Sequence, residues 1–342
     1  MIIAALLIAG SLASASQSPP PPPPRPTLDQ IKSQLTDYEA LAKKKGSPDP
    51  AALEKVARLS LDRAMGSPVA NVWIEACRTA FAKGQASCDS RLWQLIGSVK
   101  APVGQRVKAA AALTERGDKK AFELLLPAIK ALDANTLAGI AGDLEALPES
   151  ERAPLFVRML QAEPAATREA ACRAIGLDAP GEVRQAIGTA VNAIPPGTEP
   201  WFACVIAQAR LREPDATWKL PGLSSAVQGR TLLDIADTML ALDDVRGLDV
   251  ARKVTRQATG VVQTQAGQRL AETDPAYVGG LAEARLADPA PSVRAEALII
   301  ERKLGRAPYP AVRAALLDKD EIVQLRAAET VLAWAEKQRK LR

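Results

Sequence analysis

The chain has 342 residues, 47% apolar but only 4% aromatic, and a formal net charge of +5. Such a length suits two ordinary domains or one extended array, with ample material for a core. Histidine is absent, which excludes Ser-His-Asp and Cys-His catalysis and removes the usual ligand of catalytic zinc and haem sites. Alanine and leucine supply most of the apolar mass, a composition suited to close helix–helix contacts and poorly suited to a β-sandwich or a sugar cleft.

In chain order, Ile2 to Ala13 is almost entirely apolar and runs into Ala13-Ser14-Ala15. Twelve residues span about 18 Å as a helix, too short for a bilayer core of about 30 Å. The segment reads as a signal peptide, residues 1–15, cleaved after Ala15. It lacks the usual basic residue ahead of the apolar run. Residues 16–26 contain six consecutive prolines, Pro19 to Pro24. A polyproline II spacer is the favoured reading, and a ligand for an aromatic-lined groove the alternative. Export places the mature chain in a bacterial periplasm or outside the cell, with no stable membrane insertion.

From residue 27 onward helix punctuation recurs. Thr27 precedes an apolar face of Leu28, Ile31, Leu35, Tyr38 and Leu41 that ends at Gly46. Asp49-Pro50 opens a second helix, with Leu53, Val56, Leu61 and Met65. Ser67-Pro68 opens a third, with Val69, Val72, Trp73, Ala76, Ala80 and Phe81. Asp274-Pro275 and Asp288-Pro289 mark later starts. A capping side chain before proline fits the first helical position, whose N–H needs no partner within the helix.

Four cysteines, Cys77, Cys88, Cys172 and Cys204, are an even set in a chain read as exported. Three pairings are open, and Cys77–Cys88 with Cys172–Cys204 is the most local. Cys172 and Cys204 lie about one repeat apart, which sets them on neighbouring helices. Four buried free thiols are the competing reading.

The segment from Asp288 to Leu298 repeats its spacing thirty residues later: Asp288 matches Asp318, Val293 matches Val323 and Ala297 matches Ala327. An Asp-Pro turn, then Val-Arg, then an alanine stripe closing at glycine resembles the second helix of a HEAT repeat. Here it reads Asp288, Pro289, Val293, Arg294, Ala297, Leu298 and Gly305. The frame also fits Pro68 to Phe81, with Trp73 in the arginine slot; Pro102 to Gly117, with Val107 and Lys108; and Pro164 to Gly176, with Arg168. The last copy carries Gln324 in that slot. From Trp201 to Ala271 no repeat signature appears. The resemblance implies an all-α, HEAT-like solenoid of stacked antiparallel helix pairs over residues 27–342. In such an array, Asp288 and Arg294 serve the turns and the stacking.

No phosphate loop, dinucleotide fingerprint or EF-hand frame occurs, so no cofactor, metal or catalytic residue is assigned. The basic runs Lys43 to Lys45 and Lys337 to Arg342 read as solvated helix ends, and nucleic acid is not expected as a partner. Asp234 and Asp237, three apart on a helix, are the best acidic pair. The stretch from Trp201 to Trp218 reads as an irregular helix pair with tryptophan packed inside, or else as a binding loop. The expected function is a non-catalytic scaffold or adaptor that binds another protein or peptide on a concave surface. The alternatives are a carboxylate-dependent enzyme on cell-envelope polysaccharide, resting on Asp234 and Asp237, and an electrostatic binder of anionic polymers or membrane.

Overall fold

The computed structural model describes residues 25–84 and 88–341, and every regular element among them is helical. The expected leader (1–15) and linker residues 16–24 lie outside the described residues.

Local chemistry starts the first two helices where the sequence places them, and the third two residues later. Helix α1 (Leu28–Lys45) opens with a capping box: the Thr27 hydroxyl accepts from the Gln30 N–H, and the Gln30 side chain accepts from the Thr27 N–H. It stops at Gly46, in the left-handed conformation glycine tolerates. Asp49 caps α2 (Pro50–Met65) by accepting from the N–H groups of Ala51 and Ala52. Ser67 holds the next turn by accepting from the Val69 N–H at 3.0 Å, ahead of α3 (Ala70–Ala82). The linker boundary at residue 26 moves. Arg25 donates to the Arg63 carbonyl at 3.0 Å, and Arg63 donates to the Pro26 carbonyl at 2.9 Å, so Arg25 and Pro26 belong to the folded body.

The chain continues as α4 (Asp89–Gly97), α5 (Val103–Glu115), α6 (Lys120–Lys130), α7 (Ala134–Ala138) with the 3-10 turn Ala141–Ala146, and α8 (Glu149–Leu160). Then come α9 (Ala165–Ala174), α10 (Gly181–Ala193), α11 (Glu199–Arg210), α12 (Pro214–Ala226) and α13 (Gly229–Ala241). The last are α14 (Arg246–Gln257), α15 (Gly260–Leu270), α16 (Pro275–Arg285), α17 (Pro291–Leu304), α18 (Pro310–Ala314) with the 3-10 turn Ala315–Leu317, and α19 (Glu321–Lys340).

These elements alternate between two layers. Contacts pass along one layer from α3 to α5, to the α7 segment, and on through α9, α11, α13, α15, α17 and α19. The starts of this series are Ala70, Val103, Ala134, Ala165, Glu199, Gly229, Gly260, Pro291 and Glu321, a step of 30 to 34 residues throughout. The intervening helices pack outside their neighbours in sequence order. All five segments carrying the turn motif fall on this inner layer, at α3, α5, α9, α17 and α19. The stretch without the motif supplies α11, α13 and α15 at the same interval.

The array also closes. Helix α19 packs on α17 and, more extensively than any other pair, on α2, and it touches α3 as well. One apolar core therefore joins the two ends of the described chain: Ile31, Leu53, Val56 and Leu61 pack in the same cluster as Leu298, Val323, Val331 and Trp334. The open concave surface expected of a solenoid becomes the inner wall of a ring. Closure buries the faces that first and last repeats usually leave to polar caps.

Arg294 serves the turns, as its position implied, whereas the Nε of Arg168 in the same slot has no hydrogen-bond partner. Arg294 grips both Asp318 carboxylate oxygens, at 2.8 and 2.7 Å, and donates to the Asp288 and Pro289 carbonyls at 2.9 and 3.0 Å. Gln324, in the same slot one step later, donates to the Asp318 carbonyl. Where Trp73 occupies the slot, Arg91 of α4 lies 4.2 Å from its ring centroid and donates to the Ser67 carbonyl at 2.8 Å. The aspartates behave differently from expectation. Asp288 and Asp318 accept from N–H groups two residues on and so fix the turn, while Asp320 caps α19.

Candidate functional site

The inner helices carry a run of linked ion pairs in which both signs interleave. Some of these pairs lie within one helix and others bridge neighbouring inner helices. On α3, Glu75 pairs with Arg78 at 3.0 Å and faces Arg326 of α19 at 3.7 Å. Thr79 donates to Glu329 at 2.6 Å, and Glu329 also accepts from Arg326 and Arg302, each at 2.9 Å. Glu296 of α17 accepts from Gln265 of α15 at 3.1 Å and from Gln268 at 2.5 Å. Arg269 then forks onto Asp237 of α13 at 2.6 and 2.9 Å. Asp234 takes Arg230 at 2.9 Å on one oxygen and Arg173 of α9 on the other. Arg173 also holds Glu169 at 2.9 Å and Glu199 at 3.2 Å.

This geometry decides what the acidic pair can do. Asp234 is 5% exposed and sits between two guanidiniums; Asp237 is half-buried in a bidentate clamp. A general acid needs a carboxyl that keeps its proton near neutral pH, and a general base needs a free lone pair facing substrate. Arginine forks occupy the lone pairs of the carboxylate. Both residues therefore read as rungs of a structural ladder. Asp143, on the 3-10 turn, differs. Burial raises its pKa, while Lys108 and Arg78 pull it down and Glu75 raises it.

The chain pairs its cysteines as Cys77–Cys88 and Cys172–Cys204, with Cα separations of 5.7 and 4.9 Å. The first ties α3 to the start of α4; the second staples inner helices α9 and α11 beside Arg173. Arg210 braces that joint from α11. It donates to the last carbonyls of α9 and its exit, on Cys172, Arg173 and Ile175, at 3.4, 3.1 and 2.8 Å. Burial lowers its pKa.

The Trp201 to Trp218 segment is regular, and its tryptophans separate. Trp201 is half-buried on α11 and meets Phe202 edge-on at 5.3 Å. Trp218 overturns the packed-inside reading: it stands 82% exposed on outer helix α12. Val245, at the head of α14, is 75% exposed. Elsewhere a cleft of about 470 Å³ lies between α6 and α8, floored by Phe122 and Leu147 and rimmed by Lys119, Glu123 and Glu151.

Sequence reasoning named the disulfides and Arg294 but missed Arg173, Arg210 and Arg269. The spacings Glu169/Arg173 and Arg230/Asp234, four apart, were readable; pairings across helices were not. Among the described residues no cluster of His, Cys, Asp or Glu is suited to a metal ion, and no helix is long and apolar enough to cross a membrane. Comparison with protein-family models, curated proteins and solved structures finds no match.

Proposed function

We propose that the protein is a non-catalytic scaffold or adaptor, exported to a bacterial periplasm or beyond, that holds another protein or peptide through its outer helices. The repeats are best understood as compact HEAT-like pairs. One observation carries the reading: Trp218, in a chain with few aromatics, projects 82% exposed from outer helix α12. Tryptophan is among the side chains most enriched in residues that dominate binding energy at protein interfaces. Clamping of the inner carboxylates by arginine argues against chemistry on the ring wall, and two disulfides suit an oxidising compartment.

The test is site-specific photo-crosslinking in envelope extract, with the probe at Trp218 or at Arg173. A single reproducible adduct from position 218, competed away by unlabelled protein and absent from position 173, supports the scaffold. Saturable turnover of an envelope polymer, abolished by Asp234→Asn or Asp237→Asn, overturns it.

A further inference from the structure

The two basic runs lie almost three hundred residues apart in sequence, and ring closure brings them to one end of the molecule. Helix α2 fixes the geometry. Helices α1 and α2 form an antiparallel hairpin, and Lys45, in the last turn of α1, meets the α2 cap Asp49 at 2.8 Å. Helix α19 also runs antiparallel to α2. Its start reaches the end of α2 through Glu321 and Ser67, and its last turn reaches the start of α2 through Arg339 and Glu54, 3.6 Å apart. Lys43, Lys44 and Lys45 therefore share a surface with Lys337, Arg339 and Lys340, and all six are exposed. Lys55 is exposed beside them on α2. The acids there are few and engaged: Asp49 with Lys45, Glu54 with Arg58 and Arg339, and Glu336 with Lys83 and Lys340. Hydrogen bonds from Lys83 and Lys340 hold Glu336 ionised, with a pKa of about 2, and the seven exposed cations of the patch still outnumber its three acids.

We propose that this end of the ring docks on an anionic phospholipid bilayer. The patch is built from helix ends: the last turns of α1 and α19 beside the start of α2. Two features of the patch favour a bilayer over an anionic chain. It is lysine-dominated, and compact ammonium charges suit a diffuse anionic surface, whereas planar recognition of individual phosphates favours arginine. The large aromatics that stand exposed, Trp218 and Tyr277, sit on α12 and α16, away from the patch, so no base-stacking platform accompanies it. Leu341, 73% exposed at the tip of α19, adds an apolar contact at headgroup depth. This docking is independent of the partner reading, which uses α12.

The experiment is co-sedimentation of the mature chain with vesicles of phosphatidylglycerol and phosphatidylcholine in equal parts, and of phosphatidylcholine alone. Binding to the anionic vesicles alone, falling steeply with salt, is expected. Each lysine near such a surface is worth about fivefold in affinity, so Lys43→Glu, Lys44→Glu and Lys337→Glu together weaken binding by at least roughly 100-fold. The same three-residue reversal at the opposite end of the ring, Lys100→Glu, Lys130→Glu and Lys319→Glu, leaves binding within a few-fold. Thermal melts confirm that both variants fold. Failure to bind anionic vesicles at low salt overturns the proposal, as does equal loss in the two variants. Polyphosphate or DNA bound in preference to vesicles overturns it too.

Discussion

The arc from α17 to α19 and the arc from α11 to α15 set their inner helices at the same interval, yet only the first carries the Asp-Pro, Val-Arg motif. In the first arc, Arg294 satisfies the carbonyls of its own turn and grips the aspartate of the next. In the second, Gly229 and Gly260 open their helices at φ +58° and +62°, replacing the Asp-Pro turn. Arg210, from the helix itself, reaches the carbonyls that end α9. The comparison teaches that the stack requires satisfied turn carbonyls and does not require one motif to satisfy them.

The largest expected effect tests that equivalence. Arg294→Ala leaves Asp318 without its buried partner and lowers stability by about 3–5 kcal/mol. Arg210→Ala strands three carbonyls and costs a comparable amount, about 2–4 kcal/mol. Urea titrations measure both, and a loss below about 1 kcal/mol at Arg210 breaks the parallel. Next comes Gly247→Ala, in the second arc. A methyl there meets the Ala236 carbonyl at 2.9 Å and the Leu240 nitrogen at 3.0 Å, backbone atoms of α13 that cannot step aside. Overpacking of this kind costs about 1–3 kcal/mol. Gly229→Ala and Gly260→Ala impose the left-handed conformation on a residue with a β-carbon, at about 1–2 kcal/mol each, read as shifts in thermal midpoint.

The smallest effect separates the arcs by pH. Burial alone would raise the Asp318 pKa, but hydrogen bonds from Arg294 and the Asp320 N–H outweigh it and hold it below the ordinary value; Glu321 is held down likewise by Ser67 and Arg25. Between the folded and ordinary values the unfolded chain binds more protons. The stabilisation is thus complete above about pH 5 and is lost as pH falls further. The Arg210 joint bonds only to carbonyls and the Thr238 hydroxyl. Hydrogen exchange near pH 3 should therefore release amides of α17 and α19 before those of α9 and α11. Simultaneous release removes the distinction.

The architecture was legible because caps and apolar spacing are local. Thr27, Asp49 and Gly46 mark helix ends wherever they occur. The two disulfides were legible because their spacing matched a turn and a repeat. Closure was not legible, since it depends on curvature summed over every pair, and nothing near Glu321 announces Arg25 or Ser67. Trp218 misled because tryptophan usually fills cores, and only the course of α12 reveals which side it faces. The inner ladder was hidden for a related reason: Arg269 and Asp237 are 32 residues apart and meet only once the step is known.

Closure has a consequence for how the polypeptide could be threaded. A linear stack has a first and a last member, and its ends must stay where they are. Here those members shield each other, so where the folded body starts and stops is an accident of connectivity. Joining residue 341 to residue 25 through a flexible strap along α2, and cutting instead at the exposed turn 195–198 between α10 and α11, leaves the same set of neighbours in place.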